Sequence, residues 1–475
     1  MKEMINLITD ASDKAGKTGE FLIKELVNVH DFALSDILKI WGFKSFMINK
    51  LVAGGLFPLL NKILDIEKLE TEKFVEMLNE NHTASGLSGY LSGVYNRALS
   101  GLRYDYLIKN LGKKFFGSAQ FEGEILLEEN DYFTLKYIPP QGKERGWNLF
   151  HAGGPLPYSD KLFRLTDEVN FFNPFIKHGI GVYAMETKGN IKTNPELERL
   201  TLDVLVHTLH RFSGTAFEHN GNKKMVLEGY CGLGMPSVYS FLADRENMKK
   251  RFDVIALFVV PINGVECSEL SNMINVLPQS VMLMGEIAGF KKNGMVKGEN
   301  IGSTLDMVTE SFLEKTRLGR ILNGWKSGAY ADIDNGEEVN EKMKADLAGA
   351  YWISPDNAAL FPMHESFTHF SSRMFSQGIS STGDLPVRYK NNVLNITDIK
   401  KSGVKVAAFY GINDPMISPE AADIMKKHLG EDMEHVVHEK TGHISYVFSN
   451  NRWNENDKNA FQPGIIETIE KLKNR

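Results

Sequence analysis

Cysteine is nearly absent from this chain, with two in 475 residues, and that scarcity excludes a disulfide framework and a cysteine-rich metal site. A reducing compartment, the cytoplasm, is the expected setting. An excess of either charge is lacking too: 54 basic and 60 acidic side chains leave a net charge of −6. With no long basic block, this argues against a protein built around duplex nucleic acid. The longest apolar stretch, 51–60, is broken by Gly54, Gly55 and Pro58 and is too short to span about 30 Å of hydrocarbon. No export signal is expected, because Lys2, Glu3, Asp10, Asp13 and Lys14 fall where one needs an unbroken apolar core. What is present, 42% apolar and 24% charged residues, is ordinary globular usage with material for a substantial core.

The pattern changes once along the chain. Up to about residue 116 it is helical and poor in proline, with Phe21, Leu22, Leu26 and Val29, and later Leu69, Phe74, Val75 and Leu78, at helical spacing. Trp41, Phe43, Phe46 and Met47 precede the 51–60 stretch, a segment that either packs on the main domain or rests on a lipid or polymer surface. A boundary at 118/119 divides this region, 1–118, from an α/β region, 119–475. In the second region short strands at 124–127 and 132–137 lead to a turn at Pro139-Pro140-Gln141-Gly142. Further strands are expected at 147–150, 181–185, 225–228, 253–260, 404–410 and 435–439, alternating with helices in the manner of a mostly parallel sheet. One helix is expected to start at Asn194-Pro195 and to run through Leu197, Leu200, Val204, Leu205, Leu209 and Phe212. Between about 262 and 395 the strand rhythm stops, and an insertion of that length is most simply a cap over a site.

One cysteine occupies an informative position. Met225-Val226-Leu227-Glu228-Gly229-Tyr230-Cys231-Gly232-Leu233-Gly234 passes from an apolar strand through glycines into a helical pattern, the context of a nucleophile elbow. Leu233 departs from that pattern, which has a small residue two positions after the nucleophile. Downstream, Gly411-Ile412-Asn413-Asp414 leaves a strand, and Thr441-Gly442-His443-Ile444 follows another. Nucleophile, acid, histidine in that chain order is the α/β-hydrolase arrangement. Cys231 is therefore the candidate nucleophile, His443 the base and Asp414 the acid, with Asp384 in reserve. The loop His151-Ala152-Gly153-Gly154 follows a strand, and its backbone at Ala152, Gly153 or Gly154, with the N–H of Gly232, is the candidate oxyanion site. His151 orients that loop; His207 and His210 read as surface or boundary residues, and Cys267 as structural. No metal spacing, phosphate loop or dinucleotide fingerprint is present, so neither a metal nor a cofactor is expected.

Gly229-Tyr230-Cys231, Gly411-Ile412-Asn413-Asp414 and Gly442-His443-Ile444 resemble the cysteine box and the acid and histidine motifs of polyhydroxyalkanoate synthases. Asn173 to Gly179, Trp352 to Pro362 and Pro386 to Ile396 are similar to further segments of that family, and the likeness extends over about 120–460. Intracellular polyhydroxyalkanoate depolymerases look related over the same region, with an aromatic-Ser stretch after the histidine such as Tyr446 to Ser449, and Arg452-Trp453 beyond. The chain departs from the synthases in reading Cys-Gly-Leu-Gly where they carry two adjacent glycines, and in its His-Ala-Gly-Gly loop. The resemblance implies an α/β-hydrolase fold with a cap and a Cys-His-Asp triad. It also implies an acyltransferase that takes 3-hydroxyacyl-CoA as substrate and extends a polyester. A polymer-granule surface and a second copy of the chain are the candidate partners. Ester or thioester hydrolysis by the same triad is the alternative, and a non-catalytic granule-associated protein on a hydrolase scaffold is the second.

Overall fold

Residues 57–80, 83–152, 159–267, 290–291, 295–296, 316–333, 338–352, 354–358, 360–454 and 456–475 are described by the computed structural model. Trp41 to Met47, most of the 51–60 stretch, and Gly153 and Gly154 lie outside them. The chain forms two units, one from the part up to Ser118 with Gly302–Asn357, the other from Ala119–Ile301 with Ala358–Arg475. The stretch 302–357, inside the insertion expected at 262–395, is thus part of the first unit.

The described residues of the first unit are helical. Helices Phe57–Glu80 and Ala84–Leu107 are joined by Arg317–Ser327 and Glu341–Trp352. The second and third of these approach closely because each offers a glycine: a Cβ on Gly101 would stand 2.5 Å from the Ile321 carbonyl oxygen, and one on Gly324 2.5 Å from Tyr104 Cβ. The Ser100 hydroxyl donates to the Gly324 carbonyl at 2.7 Å across the same crossing.

The second unit is built on an eight-stranded sheet. Its strands are β1 Ile125–Glu129, β2 Phe133–Ile138, β3 Asn148–His151, β4 Gly181–Thr187, β5 Met225–Tyr230, β6 Phe252–Phe258, β7 Lys405–Gly411 and β8 Met433–His438. The spatial order is β1-β2-β4-β3-β5-β6-β7-β8. β1 and β2, and β2 and β4, pair antiparallel; every other neighbouring pair is parallel. This is the α/β-hydrolase fold. The central strands are apolar runs because both faces are covered, and all six residues of β5 are buried. The edge strand β1 is half exposed along its length.

The helix expected from Asn194 is two elements. Asn194 caps a separate short turn, Pro195–Arg199, which ends where Leu200 is extended (φ −70°, ψ 102°). The helix proper is Leu202–His219, and its first turn is capped by Thr201, whose hydroxyl accepts from the Val204 N–H at 3.3 Å. Two competing caps close together break the apolar stripe that periodicity alone runs together. Among the described residues no helix is long and apolar enough to cross a membrane.

Two glycines set how closely the helix after β5 can approach the sheet. A Cβ on Gly229 would lie 2.6 Å from the Gly234 Cα, and one on Gly234 would overlap the Val260 side chain beyond β6. Gly234→Ala is expected to lower stability by about 1–3 kcal/mol through overpacking, read as a lower urea midpoint at unchanged slope.

Candidate functional site

β5 ends at Tyr230 and the helix Cys231–Ala243 begins at the next residue. Cys231 itself makes the turn, with φ +51°. A side-chain-bearing residue in that left-handed region costs about 1–3 kcal/mol and persists only where its surroundings enforce it. Strand and helix enforce it here through the contact of Gly229 with the Gly234 backbone. The steric demand that the motif places at position 233 therefore falls one position later, at Gly234. Gly232 stands in the first turn of the helix, where an N–H has no intrahelical partner and the helix end is electropositive.

The structure brings Cys231, His443 and Asp414 together. His443 Nε2 is 3.0 Å from Cys231 Sγ, and Nδ1 is 2.7 Å from Asp414 Oδ2. Asp414 Oδ1 accepts from the N–H groups of Met416 and Ile417 at 2.8 and 3.1 Å, so hydrogen bonds occupy both carboxylate oxygens. Burial works against a protonated His443 ring, but the Asp414 carboxylate and the Cys231 sulfur outweigh it and hold the imidazole well above its ordinary range. Nε2 can take the thiol proton while Nδ1–H remains on the carboxylate. The reserve acid, Asp384, is half-buried, and its carboxylate is occupied by Asn395 at 2.7 Å and Thr382 at 2.8 Å.

Acid and histidine sit on loops that brace each other. The Asn413 N–H donates to the Thr441 carbonyl at 2.9 Å, and Gly411 abuts that same carbonyl so closely that a Cβ there would overlap it. Arg452 closes the far side. Its guanidinium donates to the carbonyls of Glu439 and Lys440 at 2.9 and 3.0 Å and to the Thr441 hydroxyl at 2.9 Å, and it lies over the Phe461 ring. The sequence held the signal for this brace in Arg452-Trp453 beyond the histidine, but nothing in it assigned the acceptors.

One buried pair beside the elbow was not legible. His151 at the end of β3 faces Glu228 across the β3–β5 ladder, and His151 Nδ1 hydrogen-bonds the Glu228 carboxyl. The two side chains are 1% and 0% exposed. Burial pushes the Glu228 carboxyl up, against the pull of His151. Among the described residues His151 Nε2 and Glu228 Oε1 have no hydrogen-bond partner, and Phe163 and Phe172 meet the imidazole edge to face.

The expected oxyanion loop is constrained by the same ladder. The Ala152 N–H donates to the Glu228 carbonyl at 3.1 Å, so it is committed to the sheet and is not a free donor. Gly153 and Gly154 are outside the described residues, which leaves the Gly232 N–H as the candidate donor. Cys267 is buried, with Sγ 3.8 Å from the Asn263 carbonyl, and burial drives its thiol well up. His210 Nε2 is taken by the Ser240 carbonyl at 2.8 Å. Among the described residues no group of three histidine, cysteine or acidic side chains is placed so that it could hold a metal ion.

No protein-family model matches the chain, and no curated protein matches it in sequence. Solved structures to which it is similar include a meta-cleavage product hydrolase from Pseudomonas fluorescens IP01, at 13% identity over 72% of this chain and 94% of that one, TM-score 0.37. A bromoperoxidase from Bacillus anthracis is 13% identical over 72% and 96%, TM-score 0.39. A carboxylesterase from Bacillus subtilis is 12% identical over 74% and 96%, TM-score 0.36.

Proposed function

We propose that this protein is a cysteine-dependent acyltransferase of the polyhydroxyalkanoate synthase type, acting on 3-hydroxyacyl-CoA. The observation that carries the reading is the 3.0 Å contact of His443 Nε2 with the Cys231 sulfur, at a residue held with φ +51° on a strand-to-helix turn and backed by Asp414. The resemblance of the cysteine, acid and histidine segments to that family supplies the substrate class.

The steps balance without any further reagent. His443 takes the Cys231 proton; the thiolate attacks the thioester carbonyl, and the Gly232 N–H meets the developing oxyanion. The carbon–sulfur bond to CoA breaks as that to Cys231 forms, and His443 returns its proton to the departing CoA thiolate. The hydroxyl of a second hydroxyacyl unit then gives its proton to His443 and attacks the acyl-enzyme, so that an ester forms and the thiol is restored. Exchange between two thioesters is nearly balanced in energy, which suits a sulfur nucleophile. No cofactor is needed. On this reading the protein works in the cytoplasm, where soluble acyl-CoA meets the surface of a polyester granule, alone or as a homodimer.

Incubation with 3-hydroxybutyryl-CoA tests the reading by its products. Released CoA is expected to appear with oligomeric or polymeric ester and with a hydroxyacyl adduct on Cys231 in the intact mass. Free hydroxy acid in equal amount to CoA would assign hydrolysis instead. No CoA release and no labelling of Cys231 by a thiol reagent would leave the non-catalytic reading.

A further inference from the structure

The residue before the candidate nucleophile is tied to the candidate base. Tyr230 is buried at the end of β5, and its hydroxyl donates to the main-chain carbonyl of His443 at 2.6 Å. The ring has no freedom to carry that hydroxyl elsewhere. It lies parallel to Phe258, with centroids 6.1 Å apart, and edge to face against Phe163, Phe171 and Tyr446. The His443 ring itself stands at 90° to it.

Such an aromatic surrounding would accept phenylalanine equally well; the hydroxyl is the feature that the packing does not require. A buried hydroxyl is tolerated only with a partner, and here the partner is the backbone of the residue whose side chain reaches the sulfur. Burial above all, with the Asp414 carboxylate nearby, raises the phenol far above its ordinary range, so it stays a donor.

The bond links two short anchors. Cys231 follows Tyr230 directly and the acceptor is His443's own carbonyl, so the sulfur lies one residue from the hydrogen bond and the His443 ring is carried by the bonded residue itself. The histidine loop is braced to the acid loop by Asn413 and to the segment beyond by Arg452; Tyr230 joins it to the nucleophile's strand. We infer that Tyr230 is a positioning residue, whose hydroxyl holds the His443 main chain so that Nε2 stays within proton-transfer reach of the Cys231 sulfur. The inference rests on the reading of Cys231 as the nucleophile.

Tyr230→Phe is compared with Tyr239→Phe in the full-length protein. Tyr239, in the helix after Cys231, also donates its hydroxyl to a distant main-chain carbonyl, that of Arg388 at 2.8 Å. Each variant loses one hydroxyl-to-carbonyl bond, so thermal melting should fall comparably in both. Only Tyr230→Phe is expected to lower kcat for CoA release from 3-hydroxybutyryl-CoA, by about 10- to 100-fold at nearly unchanged KM. It should also slow iodoacetamide alkylation of Cys231, followed by peptide mass. Equal kcat and equal alkylation rates for the two variants would overturn the inference while leaving Cys231 as nucleophile. A wild-type protein in which Cys231 alkylates like a free thiol, with no CoA release, would remove the nucleophile and the inference together.

Discussion

Cys231→Ala is expected to lower CoA release from 3-hydroxybutyryl-CoA by about 10⁴-fold or more, with no acyl adduct in the intact mass. The size follows from what remains. His443 and the Gly232 N–H can still act on a bound thioester, but only by delivering water, and the covalent step that divides the reaction in two is gone. Undiminished turnover would dismiss Cys231 as the nucleophile. Cys231→Ser restores a nucleophile of the wrong kind: the oxygen ester formed on it is more stable than the thioester it came from, so the acyl group is trapped, and an accumulating adduct is expected. The same position offers a measurement independent of activity. Alanine inherits the φ of +51° and its strain, whereas glycine adopts that conformation freely. Cys231→Gly should therefore unfold at higher urea concentration than Cys231→Ala, by about 1 kcal/mol. An equal or lower midpoint would mean that the turn relaxes without its side chain.

Cutting the pair beneath the elbow is the second large effect. Glu228→Ala or His151→Ala is expected to lower unfolding free energy by about 3–5 kcal/mol, because either leaves a polar partner buried and unpaired. His151→Leu with Glu228→Leu together should recover most of the loss, since apolar side chains of similar size suit a site walled by Phe163 and Phe172. Additive losses in the double variant would mean that the two groups are not coupled. The pair also gives stability a pH dependence. Burial raises the Glu228 carboxyl above its ordinary value, so the native state holds that proton more tightly than the unfolded chain does. The contribution is complete below about pH 4, where both states are protonated, and declines as pH rises through the native value. Glu228→Gln, which cannot titrate, should flatten that decline in urea titrations repeated across pH.

The strands of the sheet were legible because burial on both faces leaves uninterrupted apolar runs such as Val254 to Phe258. Cys231, Asp414 and His443 were legible because each follows a strand end in a turn whose glycines are local requirements. Roles set by partners distant in the chain were not. Glu228 reads as an ordinary strand residue and Tyr230 as the middle of a Gly-Tyr-Cys motif until His151, 77 positions from the first, and His443, 213 positions from the second, are placed beside them. Leu233 looked like a defect because the pattern counts positions along the chain, while the close approach is between Gly229 and Gly234 in space. Ala152 looked like a donor because the last rung of a ladder cannot be told from the first residue of a loop without the neighbouring strand.

Gly411, fitted against the Thr441 carbonyl, and Arg452, closing over the same turn, make the acid and the histidine one cassette that carries its own braces. Such a piece can be moved between scaffolds as a unit. Transplanted onto another hydrolase sheet as a continuous segment from Lys405 to Phe461, so that β7 travels with β8, the strand it pairs with, it would arrive with Asp414 and His443 facing each other. The recipient would have to provide the hydroxyl that Tyr230 supplies here, and designs that graft the cassette without it should bind their substrates and turn over slowly.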